Sequence, residues 1–476
     1  MNDWEISLKW YPHFDAPIER KKAEKLVADA EAVAKNTFYP FMLYNETWQP
    51  YRSKTAVKPP RKNRPIRYAS RRDSYIFSYY RHKLSTMYEK TLVECGIDDV
   101  AIAYRKLRTS DGSGKSNIEF AKDAFDGVRR IGNCAAVALD ISSFFEHLDH
   151  GKLRLQICRV LRVSSLPADY EAIFRAVTSY AVVDRDQVYR RLGYLEDKLV
   201  DGKMRASYTK PFLEMPKKLC SNQDFNTKIC GRGRKFKSLV TTNRKPWGIP
   251  QGSPISDLLA NLYLIDFDIV LKEYCSSRGG FYLRYSDDIL IVIPGSDPEA
   301  IAAIEFARAE IQAHGSKLEI KDRKTAALVF TSVDSGRQSF RHITGQMGKT
   351  GLEYLGFRYD GKSIHIRNST LSSLYRKISA GVKAECFGMI ARYPGKDFDF
   401  IFQKFDFSLF FQRYGRVRGF GPNSDVEDWT FWTYAQRARN AFGNDAPHIS
   451  RQLRNYRVVV RRRVRRDLAA FLSRAT

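Results

Sequence analysis

Paired cysteines are missing from this 476-residue sequence. Its seven cysteines, Cys95, Cys134, Cys158, Cys220, Cys230, Cys275 and Cys386, never take a C-x-x-C spacing. That excludes a zinc ribbon or dithiol redox motif and reads as a set of reduced thiols. No stretch approaches the ~18 uninterrupted apolar residues of a membrane span. The opening Met1-Asn2-Asp3-Trp4-Glu5 has neither the basic nor the apolar region of a signal peptide. The sequence therefore predicts a cytoplasmic protein with no membrane partner. Internal repeats and low-complexity linkers are also absent. Acid is scarce relative to base: 53 Asp+Glu face 80 Lys+Arg, a formal charge of +27. Such a surplus gathers polyanions, and nucleic acid is the first candidate, with anionic lipid or no partner at all as alternatives. What is present is globular. Hydrophobic residues make up 43% and aromatics 13%, which excludes a disordered or collagen-like chain, and the length suffices for two or three subdomains.

The base is unevenly placed. From Arg52 to Lys83 there are eleven Lys/Arg and one acid, Asp73, interleaved with Tyr68, Tyr75, Phe77, Tyr79 and Tyr80. From Asp201 to Lys245 there are twelve against three, and from Arg451 to Thr476 nine arginines against Asp467. In the last segment Ile449, Leu453, Tyr456, Val460, Val464, Leu468 and Phe471 recur at steps of three and four, the signature of one helix face. Gly112-Ser113-Gly114-Lys115-Ser116 has the end of a phosphate-binding loop but lacks its first glycine, Thr109 standing there, and reads as a surface loop. Cys134–Leu139 is an apolar run of strand length ending in Asp140. Ser253-Pro254 reads as the start of a helix, Ser as N-cap and Pro in the first position. Phe281–Arg284 and Ile289–Ile293 read as strands around Tyr285-Ser286-Asp287-Asp288. Pro298–His314 is an amphipathic helix, Leu318–Phe330 has strand texture, and Leu352–Ile364 suggests a hairpin.

Three acids thus stand at strand ends. Each alone is ordinary turn chemistry. Together, Asp140, Asp287 and Asp288 would crowd like charges at one sheet edge, which is costly unless a divalent cation neutralises them. Carboxylate oxygens without His or Cys suit Mg²⁺ or Mn²⁺. Two such ions ~3.5–4 Å apart would serve nucleotidyl transfer, activating a 3′-hydroxyl and stabilising pyrophosphate.

Ala135-x-Val137-x-Leu139-Asp140-Ile141-Ser142-Ser143-Phe144-Phe145, then Gly248-Ile249-Pro250-Gln251-Gly252-Ser253-Pro254-Ile255-Ser256, then Tyr285-Ser286-Asp287-Asp288 resemble, in order, the palm motifs of reverse transcriptases. Leu318–Thr325 resembles the fourth palm motif, Glu353-Tyr354-Leu355-Gly356-Phe357 the primer-grip turn, and Lys62–Ile66 with Arg72-Asp73 the fingers motif. The resemblance covers about residues 50–365, and Y-x-D-D in place of G-D-D favours a reverse transcriptase over a viral RNA polymerase. It implies an α/β right-hand fold: N-terminal extension and fingers over 1–131, an α+β palm over 132–365 with a basic insertion around 185–245, and a basic helical thumb over 366–476.

The resemblance also implies roles. Asp140, Asp287 and Asp288, with the main chain of Ile141, would hold two Mg²⁺ or Mn²⁺ ions. Neighbours on a strand point oppositely, so Asp287 and Asp288 should differ. Lys324 would pair with or protonate pyrophosphate. Lys62 and Arg64 would clamp the triphosphate, Gln251 and Gly252 would underlie the nucleotide, and Phe145 would exclude a 2′-hydroxyl unless it is a core aromatic. Tyr285, Leu355 and Gly356 would meet the primer. Arg461, Arg462 and Arg465 would grip the duplex backbone, or form a protein-binding face.

No RNase H-like carboxylate set or Cys/His nuclease module follows Ile364, and the retron-type Val-Thr-Gly is approached only by Ile343-Thr344-Gly345, ahead of the primer-grip turn. Ala103-Tyr104-Arg105-Lys106, the long insertion, and Asp428-Trp429-Thr430-Phe431-Trp432-Thr433-Tyr434 with Arg437-Ala438 look like bacterial defence-associated, abortive-infection-type enzymes. That likeness implies dNTP substrates, an RNA template and DNA product, a non-coding RNA or companion subunit, oligomerisation, and a role in phage defence, with untemplated or protein-primed synthesis as a variant. The competing class is an RNA-binding, maturase-like scaffold that keeps the palm for its shape.

Overall fold

A computed structural model describes residues 4–49, 60–200, 202–334, 336–345, 348–415 and 431–475. Arg52, Lys54 and Lys58 of the first basic stretch, and Asp428, Trp429 and Thr430 of the aromatic motif, lie outside the described residues.

The N-terminal layer begins with an antiparallel ribbon, β1 (Phe41–Trp48) and β2 (Lys62–Tyr68), in which Leu43 faces Arg67 and Trp48 faces Lys62. Ser70 then caps the Arg71–Glu94 helix, its hydroxyl accepting from the Asp73 N–H. The glycine-rich loop at 112–116 is indeed a loop. Ser116 and Glu119 close a capping box that starts the Asn117–Ile131 helix, and Gly132 leads into β3 (Cys134–Asp140).

β4 (Ala181–Asp184), just ahead of the long insertion, runs parallel to β1, and the insertion supplies an isolated hairpin of β5 (Leu195–Val200) and β6 (Lys203–Tyr208), and β7 (Thr241–Thr242). The first sheet is therefore ordered β2-β1-β4-β7. Two helices, Ser256–Tyr263 and Ile265–Ser276, precede β8 (Phe281–Tyr285) and β9 (Asp288–Pro294). The Asp297–His314 helix precedes β10 (Ala326–Asp334) and β11 (Arg337–Gly345). These strands and β3 form the central sheet, in the order β11-β10-β3-β9-β8.

Alternation along β3 builds two cores. Ala135, Val137 and Leu139 join Ile289, Ile291 and Ile293 beneath the helices at 71–94, 256–276 and 297–314. Cys134, Ala136 and Ala138 join Leu290, Val292, Ala326 and Leu328 on the opposite face, against the Asn117–Ile131 helix and the C-terminal layer. A sheet with both faces covered explains why its strands read as continuous apolar runs.

Three sequence expectations need correction. Ser253 is not an N-cap: the helix starts at Ser256, because Gly252 turns left-handed and the loop before it is pinned to β2. Of Leu318–Phe330 only the part from Ala326 is strand; the rest is a turn ending in the short 3-10 segment Asp322–Lys324. Leu352–Ile364 is more than a hairpin: β12 (Leu352–Tyr354), β13 (Phe357–Tyr359) and β14 (Ile364–Ile366) make a three-stranded sheet.

The C-terminal layer packs the Asn368–Arg392 helix against Tyr456–Ala475. The apolar stripe from Ile449 to Leu468 is buried throughout, although its helix is broken between Leu453 and Tyr456.

Candidate active site

Asp140 ends β3 and stands opposite Asp288, which begins β9. One residue on, the Ile141 N–H donates to the Asp287 carbonyl at 3.0 Å. The antiparallel ladder thus brings an acid to the same sheet edge as two others nearly 150 positions away, without any side-chain contact being required. The β8–β9 connection has Tyr285 paired with Asp288, leaving Ser286 and Asp287 as its two central residues. Ser286 has φ +61°. A left-handed first residue suits the primed turns of tight hairpins but strains a non-glycine by roughly 1–3 kcal/mol.

A buried polar scaffold holds that turn. Arg284 and Asp268 are both 0% exposed and form a bidentate pair, at 2.7 Å from Nε and 2.6 Å from Nη2. The same guanidinium donates to Asn261 Oδ1 at 3.0 Å and to the Ser286 carbonyl at 3.1 Å. Tyr282 completes the network by donating to Asp268 at 2.9 Å. A charge pair out of water holds only when its remaining groups are bonded, as they are here.

The acids feel one another. Desolvation, joined by repulsion from Asp140, raises the Asp287 carboxyl above its ordinary range, against the pull of Lys324 and Arg64. Desolvation, then repulsion from Asp287 and Asp140, pushes Asp288 up to about 7. Asp288 nevertheless reaches solvent, and water at the rim of the site moderates this rise. Lys324, aimed by its 3-10 turn, forms an ion pair with Asp140. The neighbouring chain is stitched to the same edge, since Ser142 N–H donates to the Glu319 carbonyl at 2.8 Å.

Among the described residues no group of three or more His, Cys, Asp or Glu side chains is arranged to hold a metal ion. The donor chemistry does fit a hard divalent cation: oxygen ligands alone, two of them, Asp287 and Asp288, raised in pKa by burial and by neighbouring acids. In this structure the countercharge on Asp140 is the Lys324 ammonium.

The other predicted residues divide. Gln251 and Gly252 lie against β2, the Gln251 carbonyl accepting from the Arg67 N–H at 2.8 Å. Gly252 has φ +109°, and a Cβ there would meet the Arg67 carbonyl at 2.9 Å, so only glycine lets the loop approach so closely. Phe145 is half-buried beside the core residue Phe144, with ring centroids 5.7 Å apart. Arg64 stacks over Trp48 at 5.4 Å and acts electrostatically on Asp287. Lys62 is exposed at the outer end of the ribbon. Tyr285 is half-buried. Leu355 and Gly356 are both left-handed, φ +44° and +92°, and make the tight turn between β12 and β13. Arg461 and Arg465 cover the rings of Phe407 and Phe402 at 5.3 and 5.1 Å, and Arg462 is exposed. These three belong to the C-terminal layer and not to the carboxylate edge.

Several residues of the site were given no site role by the sequence reading, Tyr104 having entered only as part of a subfamily likeness. Arg284 interrupts an apolar strand, the one signal that could have singled it out. Arg67 pairs with Glu146 at 2.5 Å and so ties β2 to the turn carrying Phe145. Arg367 pairs with Glu353 at 3.4 Å and draws Asp288 toward its charged form. Tyr104 donates to Ser286 Oγ at 3.4 Å. Only the fold brings these together.

Residues 214–359 match the family described as reverse transcriptase (RNA-dependent DNA polymerase). The matched span takes in Gln251, the Tyr285–Asp288 turn and Lys324, while Asp140 lies upstream of it. The Retron Ec86 reverse transcriptase of Escherichia coli is 35% identical over 97 residues, 20% of this chain and 27% of that protein. The chain thus spans about a quarter of the curated relative it matches. Among solved structures, apo telomerase from Candida tropicalis aligns with a TM-score of 0.36 and 11% identity, over 97% of this chain and 70% of that one. Telomerase from Candida albicans in complex with the TWJ fragment of telomeric RNA aligns with a TM-score of 0.36 and 11% identity, over 95% and 67%. Likeness at that level carries no further argument.

Proposed function

We propose that this chain, whose residues 214–359 match the reverse transcriptase family, is a reverse transcriptase that synthesises DNA from dNTPs on an RNA template. The observation that carries this reading is the register that sets Asp140 across from Asp288 with Asp287 in the adjoining turn. Asp140, Asp287, Asp288 and the Ile141 main chain are the residues that would hold two Mg²⁺ or Mn²⁺ ions. When bound, such ions supply charge neutralisation and a more acidic primer hydroxyl.

This chain's own groups do the rest. Arg64, on the ribbon above the acids, and Lys62 beyond it attract the triphosphate. Gln251 and the glycine backbone at 252 floor the nucleotide, and Phe145 bears on its sugar, excluding a 2′-hydroxyl. Lys324 is placed to leave Asp140 and pair with, or give a proton to, departing pyrophosphate. Tyr285 and the Leu355-Gly356 turn receive the primer, and Arg461, Arg462 and Arg465 the duplex backbone. Fingers over 1–131, palm over 132–365 and thumb over 366–476 are the corresponding division.

The biological setting we propose is bacterial antiphage defence, with a non-coding RNA as template or partner. The test is direct. Purified protein with a primed RNA should incorporate labelled dNTPs in Mg²⁺, and Asp287→Ala with Asp288→Ala should not, while still binding RNA. Sequencing the product separates templated from untemplated or protein-primed synthesis. The pairing of Lys324 with Asp140 favours a second reading, a scaffold whose acids are neutralised internally. A double mutant that keeps its biological activity would select that reading.

A further inference from the structure

Tyr104 stands where the two most specific motifs meet. Its hydroxyl donates to Ser286 Oγ at 3.4 Å, inside the Tyr285–Asp288 turn. Its carbonyl accepts from Arg81 Nη2 at 3.2 Å, and Arg81 in turn grips Asp257, one residue past the Gln251–Ser256 loop, at 3.0 and 2.9 Å. The flanking chain is fixed as well. Asn261 Nδ2 donates to the Ala103 carbonyl at 2.9 Å. Ile102 N–H and Arg284 N–H exchange bonds along β8, each 2.9 Å long, with the carbonyls of Arg284 and Val100.

This clamp holds Tyr104 at φ +63°, a conformation that a bulky residue adopts only when its surroundings impose it. The residue so placed is 41% exposed, although it lies beside the candidate catalytic turn. Asp257, Asp287 and Arg64 all act electrostatically on its phenol. Tyr285 approaches one side, 6.3 Å between centroids at 43°. A strained backbone that holds a part-exposed aromatic residue beside the candidate catalytic turn suits a stacking partner, and every nucleobase offers one.

Building on the polymerase reading, we propose that Tyr104 is a positioning residue with two parts. Its hydroxyl sets the Ser286-Asp287 turn, and its ring is the platform on which the base next to the reacting end stacks. The two parts separate by substitution. Tyr104→Gly removes the ring at a position whose backbone favours glycine, so it should melt no lower than the parent. It should bind a primed RNA–DNA duplex roughly tenfold more weakly by fluorescence anisotropy. Tyr104→Phe keeps the ring, so duplex affinity should hold, while kcat for dNTP addition falls by roughly three- to tenfold with KM little changed. Tyr104→Trp should restore the affinity that Tyr104→Gly loses.

Affinity and turnover of Tyr104→Gly within twofold of the parent would overturn the proposal. Affinity of Tyr104→Phe as low as that of Tyr104→Gly would overturn the platform. A parent protein that adds no dNTP defeats the polymerase reading instead, and the binding comparison still decides the ring.

Discussion

In the central sheet three acids are placed by backbone register, whereas the arginines of the C-terminal helix are placed by little beyond the apolar stripe beneath them. Asp140 and Asp288 face each other because β3 and β9 pair as they do, and a slip of one residue would turn each acid to the wrong face. Arg461 and Arg465 lie over phenylalanine rings on a helix exposed along most of its length, and a neighbour one turn away offers the same charge. One region should be intolerant of substitution and the other redundant. On the proposed reading, site chemistry falls to the first and long-range attraction to the second.

The largest effect should come from breaking the register-bound set. Asp287→Ala with Asp288→Ala is expected to lower dNTP incorporation by roughly a thousandfold or more, with RNA affinity within about threefold of the parent because the basic layers are untouched. Filter binding beside primer extension reads both. Next comes the scaffold below the turn. Arg284→Met leaves Asp268 charged and unpaired in the core, which should cost about 3–5 kcal/mol in chemical denaturation. Arg284→Met combined with Asp268→Leu should recover much of that loss.

Phe145→Ala sharpens the comparison within the site. If the ring bears on the sugar, ribonucleotide incorporation should rise by roughly tenfold relative to deoxynucleotide. Unchanged sugar selection would remove Phe145 from that role and leave it a core neighbour of Phe144. In the redundant region the expected effect is small and electrostatic. Arg461→Ala with Arg465→Ala should flatten the slope of log affinity against log salt by about 1.8, close to 0.9 per lost phosphate contact, without altering kcat.

The smallest effect is a pH signature. A carboxyl whose folded pKa is about 7, above its unfolded value of 3.8, keeps a proton in the folded state that the unfolded state has released. Its contribution to stability is present at low pH and declines as pH rises from about 4 through 7. Asp288→Asn should therefore raise the melting temperature relative to the parent at pH 8 and leave it nearly unchanged at pH 4. Adding Mg²⁺ at pH 8 should narrow the gap if the acids take up the cation.

The same contrast explains what could be read beforehand. Asp140, Asp287 and Asp288 were legible because strand texture and motif order travel together in the chain, and the two-sided core followed from unbroken apolar runs. The buried stripe from Ile449 to Leu468 was legible from its spacing, while the break after Leu453 was not, since a helix interruption leaves the stripe in place. Ser253 misled because Ser-Pro is a good helix start locally, and the contact that overrules it, Gly252 against Arg67, joins residues far apart. Arg284 and Arg367 carry no motif of their own, and the Ala103-Tyr104-Arg105-Lys106 stretch pointed to a subfamily, not to a place beside the acids. Their roles rest on contacts that exist only once the chain has folded.

The fork between Arg81 and Asp257 has a mechanical consequence. It ties the long Arg71–Glu94 helix to the Ser256–Tyr263 helix, a bidentate link between that wall of the cleft and its floor. Beyond Leu43, β1 is flanked by β2 alone. The outer end of that ribbon is tied elsewhere, since the Gln49 carbonyl accepts from Arg376 of the Asn368–Arg392 helix, so the arm that carries Arg64 is joined to the C-terminal layer.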